Sequence, residues 1–86
     1  MSKEEKLIER IKTVPLDFTY DEAKCLVKRF GYEENSKGRT SGSRILFFRK
    51  TDGKKIMLHK PHPSNVMKKY AVEDLLKHLI DNGDIL

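Results

Sequence analysis

A chain of 86 residues is too short to build two hydrophobic cores, so residues 1–86 are expected to form a single domain. With 37% hydrophobic and 36% charged residues it can fold, but it has little apolar material left to enclose a deep small-molecule cavity. Eighteen Lys and Arg against thirteen Asp and Glu give a formal charge of +5, which suits a polyanionic partner, although a merely solvated lysine-rich surface has the same composition.

Taken in chain order, Ser2 and Glu5 have capping-box spacing, and Leu7, Ile8, Ile11 and Val14 recur at helical intervals until Pro15 ends the pattern. Thr19 and Glu22 repeat the capping signature. Ala23, Leu26, Val27 and Phe30 follow as an apolar stripe, Lys28 and Arg29 suit the last turn, and Gly31 suits a left-handed stop. Cys25, beside Leu26 on this second helix, reads as packing rather than as a nucleophile, and as the only cysteine it excludes an internal disulfide. With no signal-like or membrane-spanning apolar segment, the expected location is cytoplasmic.

Tyr32–Ser36 is predicted to be a short strand, followed by the loop KGRTSGSR and then RILFFRK-TDGK-KIMLHK, two strand-like runs joined through Asp52-Gly53. A two-residue turn there sets Thr51 opposite Lys54, Phe47 opposite Leu58 and Leu46 opposite His59. Alternation then gives one face Ile45, Phe47, Ile56 and Leu58, directed at the helices. Leu46, Phe48 and Met57 share the other face with Arg44 and His59 at one end. That second face is left either open to a partner or covered by the first helix. After PHPSN, Val72, Leu75, Leu76 and Leu79 predict a last amphipathic helix ending near Asn82-Gly83. The order α-α-β-β-β-α is that of an α+β fold, with helices layered on a three-stranded antiparallel sheet.

The basic excess is concentrated in residues 37–69, which hold ten Lys and Arg against the single acid Asp52. Within this region Gly38 and Gly42 would allow close backbone approach to an anion. Ser36, Thr40, Ser41 and Ser43 would donate to phosphate oxygens, while Lys37, Arg39, Arg44 and Lys60 would supply charge. No Gly-Lys-Ser/Thr follows, so this is not a nucleotide-binding P-loop, and a solvated hairpin loop is the simpler alternative. His59 and His62 bracket Lys60-Pro61 where Arg44 also emerges. Two imidazoles and a phosphate-stabilising cation are what RNA cleavage through the 2′-hydroxyl requires without a metal, although two surface histidines in a basic loop fit the same residues. The pair lacks the further ligands of a zinc site, and no metal or small-molecule cofactor is expected. His78, between Lys77 and Leu79, reads as solvent-facing.

Gly-Ser-Arg before an aromatic strand, LHKPHP after the hairpin and the closing amphipathic helix resemble the HicA family of bacterial type II toxins over most of residues 19–86. The resemblance implies a double-stranded-RNA-binding-like α-β-β-β-α core over residues 16–86, with residues 1–15 as an added N-terminal helix. It also implies a ribonuclease acting on single-stranded messenger RNA and neutralised by a HicB-type antitoxin. Gly31-Tyr32 matches the family's Gly-Phe, and His62 corresponds to a family histidine beyond the third strand. Gly42-Ser43-Arg44 stands where the family has Gly-Ser-His, its presumed catalytic residue. Arginine cannot act as a base at neutral pH. Either proton transfer belongs to His59 and His62 with Arg44 steadying the phosphate, or the domain binds RNA and antitoxin without cutting.

Overall fold

The computed structural model describes residues 3–35, 44–61 and 64–85. Its elements are α1 (Lys3–Lys12), α2 (Tyr20–Arg29), β1 (Glu33–Glu34), β2 (Arg44–Phe48), β3 (Lys55–His59) and α3 (Lys69–Asp81). The strands form an antiparallel sheet in the order β1-β2-β3. Ser2 and Ser36 lie outside the described residues, and the first strand is shorter than its predicted span.

α1 ends at Lys12, short of the Val14 that the expected stripe included, because Pro15 disfavours helical backbone at the residue before it. Val14 instead takes φ 48, an unusual value for a β-branched residue. α2 opens on the predicted box: the Glu22 amide donates to Thr19 Oγ1 at 3.2 Å and the Thr19 amide to Glu22 Oε1 at 3.0 Å. Arg10 of α1 reaches the same carboxylate, with Nε 2.8 Å from Glu22 Oε2, and also holds Asp17 Oδ1 at 2.9 Å. Burial pushes the Glu22 carboxyl up, but donation from Arg10 and Thr19 outweighs it and holds the group below its usual 4.5. A lowered folded value means that the stabilisation is present above that pH and is lost as pH falls through the lowered value. Glu22→Gln is therefore expected to lose less stability than wild type between neutral pH and about pH 3. Equal losses in urea midpoint would show that the carboxylate contributes nothing.

The hairpin corrects the predicted register. Arg44 pairs with His59, Leu46 with Met57 and Phe47 with Ile56, a displacement of two residues, and the turn spans four residues, 50–53. The type I′ turn that an Asp-Gly pair favours needs positive φ at both central positions, whereas here Gly53 alone of the pair has it, at 72°. Asp52 instead receives Arg49 Nη2 at 2.6 Å and the Lys54 amide at 3.1 Å. Because the displacement is even, every side chain keeps its predicted face. Phe47, Ile56 and Leu58 are buried in one core with Phe18, Leu26, Val27, Val72, Leu75 and Leu79. α1 packs on α2 and α3 and adds Leu7 and Ile11 to that core, so it does not cover the face bearing Arg44, Leu46, Met57 and His59. Cys25 is half-buried against the same core, as packing requires.

Two ties were not foreseen. Residues 64–67 return along the start of α2: the Met67 amide donates to Phe18 O and the Tyr20 amide to Asn65 O, both at 2.8 Å. At the opposite end, Arg49 donates to Asp84 Oδ1 at 2.6 Å and to Phe30 O at 3.0 Å while lying 4.5 Å over the Tyr32 ring. Tyr32 donates its hydroxyl to Asp84 Oδ2 at 2.8 Å. Gly31, at φ +94, passes so close to this arginine that a Cβ would lie 3.4 Å from its Cδ. Arg49 therefore belongs to the structural frame and is withdrawn from the basic surface that the charge count suggested.

Candidate nucleic-acid interface

The outward face of β2 and β3 ends in Arg44 and His59, both exposed and directly opposed across the ladder. The two-residue correction converts their expected diagonal relation into a cross-strand pair, whose side chains leave the sheet side by side. Lys60 follows His59 and is exposed. Inward from this end the outer face is apolar, with Leu46 and Phe48 half-buried and Met57 38% exposed.

From β3 the surface descends into an open groove of about 350 Å³ against the start of α3, lined by His59, Pro61, Ser64, Val66, Met67, Lys68, Tyr70 and Ala71. A smaller recess of about 90 Å³ shares His59, Met67, Tyr70 and Ala71 with it and extends along the helix to Asp74. Lys68 stands at the N-cap of α3 without a side-chain cap bond, Lys69 follows, and no acid occupies the first helical turn. The positive end of the helix dipole therefore adds to the charge of these lysines.

Of the expected phosphate contacts, Arg44 and Lys60 lie at this edge. Lys37, Arg39, Ser41 and Ser43, with Gly38, Thr40 and Gly42, lie outside the described residues, as does His62. Arg44 and His59 are thus the two site residues that the fold is seen to bring together. His78 is exposed on α3, with Nδ1 2.8 Å from Asp74 O, and lines neither groove. Among the described residues no group of three or more His, Cys, Asp or Glu side chains could share a metal ion, and no helix is long and apolar enough to cross a membrane.

The groove walls Met67, Lys68 and Tyr70 were not anticipated. A signal for Tyr70 was present: it falls off the Val72-Leu75-Leu76-Leu79 stripe, where an amphipathic helix ordinarily carries a polar residue.

The family model for the HicA toxin of bacterial toxin-antitoxin matches residues 20–79, from the first residue of α2 to the buried Leu79 of α3. The chain belongs to the HicA toxin family. Three helices on a three-stranded antiparallel sheet are the α+β arrangement consistent with the double-stranded-RNA-binding-like fold of HicA. Membership makes this chain the toxin of a toxin–antitoxin pair, with an antitoxin as its class of partner. The HicA match leaves α1 outside it, although Leu7 and Ile11 of that helix sit in the common core. Searches of the curated proteins and of the solved structures returned no match.

Proposed function

We propose that this HicA-family toxin binds single-stranded messenger RNA and cleaves it without a metal, and that a HicB-type antitoxin neutralises it. The observation that carries this reading is the direct opposition of Arg44 and His59 at the exposed end of the sheet, beside a groove that His59 and Lys68 line. In the proposed reaction one imidazole takes the proton of a ribose 2′-hydroxyl, whose oxygen attacks the adjacent phosphorus. The P–O5′ bond breaks, and a second acid protonates the departing 5′-oxygen, leaving a 2′,3′-cyclic phosphate. His59 and His62 are the two proton carriers in this scheme. Arg44 offsets the charge gathering on the phosphoryl oxygens, a task that suits a permanent planar cation. Lys60, Lys37, Arg39, Ser41 and Ser43 hold the neighbouring phosphates, and residues 1–15 are an N-terminal addition to a core spanning 16–86.

The arginine at the family's histidine position favours a second reading, in which the same surface binds RNA or protein without turnover. Incubation of the purified chain with single-stranded RNA in EDTA separates the two. Fragments ending in cyclic phosphate support cleavage, whereas RNA that is bound but stays intact removes the nuclease and leaves the binding module. Co-purification with the product of an adjacent HicB-like reading frame tests the partner.

A further inference from the structure

We propose that Tyr70 is a base-stacking platform, seating the nucleotide next to the phosphate at which Arg44 and His59 act. This rests on the RNA-binding reading above and assigns it a second subsite. The seven aromatic residues of the chain are otherwise buried or half-buried, yet Tyr70 is 69% exposed, and its hydroxyl makes no hydrogen bond among the described residues. It lines both recesses that His59 lines. Of the five large apolar side chains exposed among the described residues, Met57, Val66 and Tyr70 all border these two recesses, so the apolar surface is concentrated there.

An aromatic face set in a short apolar trough, with cations on its rim, is the combination that single-stranded nucleic acid uses. Bases stack on the ring regardless of sequence while the backbone follows the charge. Lys68 lines the larger recess, and the exposed Lys60 and Lys69 adjoin its lining residues His59 and Lys68 in the chain. Asp74, the one acid lining either recess, lies in the smaller one along the helix, so phosphates are directed to the Lys68 end of the larger one and the base toward Tyr70. The volume of about 350 Å³ falls within the range of small-ligand sites. An acidic protein segment would meet the same cations and could also pack on the ring, so the two are separated by coupling to single base positions, which a protein segment does not produce.

Fluorescence anisotropy with 2′-O-methyl RNA, which cannot be cut through its 2′-oxygen, tests the assignment with single abasic sites placed along the oligonucleotide. One abasic position is expected to weaken wild-type binding about tenfold. Tyr70→Ala is expected to weaken binding to intact RNA by a similar factor and to abolish the penalty at that position. Tyr70→Phe should behave as wild type, and all variants should share its urea midpoint, because the side chain is exposed. The platform is overturned if wild type binds RNA while Tyr70→Ala binds equally well, or loses affinity without coupling to any position. It is overturned equally if Tyr70→Ala weakens only antitoxin capture, which would give the groove to the protein partner. Failure of wild type to bind RNA at all removes the RNA-binding reading and the platform with it.

Discussion

Arg49→Met is expected to lower the stability of the fold by about 3 kcal/mol, shifting the urea midpoint and lowering the melting temperature by about 12 °C or more for a domain of this size. Arg49 is 12% exposed and its partner Asp84 9%, so removing the cation strands a carboxylate with little access to water. The same guanidinium bonds the Phe30 carbonyl, the Asp52 carboxylate and the Tyr32 ring, so one substitution loosens the end of α2, the hairpin turn and the segment beyond α3 together. Asp84→Leu combined with Arg49→Met is expected to recover part of the loss, since the double variant leaves only the more exposed Asp52 without its cation and no carboxylate stranded at position 84. A single Arg49→Met variant within about 0.5 kcal/mol of wild type would mean that the network adds nothing over solvation.

The second large effect concerns turnover. His59→Ala is expected to reduce single-turnover cleavage of RNA by about 10²- to 10⁴-fold while RNA affinity changes much less, which separates a proton carrier from a binding contact. Loss of affinity in proportion to the loss of rate would recast His59 as a phosphate ligand. Arg44→His extends the comparison by placing the family's own residue opposite His59. If wild type is inert and Arg44→His acquires cleavage, the native domain is a binding module; if wild type cuts and Arg44→Ala abolishes cutting, the arginine is the stabilising cation.

Local signals carried much of this architecture. Thr19 and Glu22 announce α2 because their bonds run between residues three apart, and the alternation of Ile45, Phe47, Ile56 and Leu58 fixes which face is buried whatever the exact pairing. Pairing itself was misjudged because Asp52-Gly53 matches the signature of a two-residue turn. The deciding interaction is the carboxylate's bond to Arg49, a residue that from composition alone counted as one more surface cation. Arg10 on Glu22 and Arg49 on Asp84 join residues 12 and 35 apart in sequence, and no periodicity encodes such pairs. The same limit applied to the candidate site: Arg44 and His59 could be placed on one face by counting along strands. The groove beside them required knowing that residues 64–67 fold back on α2, which a stretch rich in proline and polar residues does not disclose.

That fold-back determines how the groove behaves toward a ligand. Val66 and Met67 line it, and the backbone bonds from Met67 to Phe18 and from Tyr20 to Asn65 fasten this segment to the same helix start that the core holds in place. The wall is therefore assembled before anything binds, and an incoming strand need not freeze it into shape, so less of the contact energy is spent on ordering. Affinity at this edge should accordingly follow the integrity of the hydrophobic interior, and drift at distant interior positions would be read out as weaker capture.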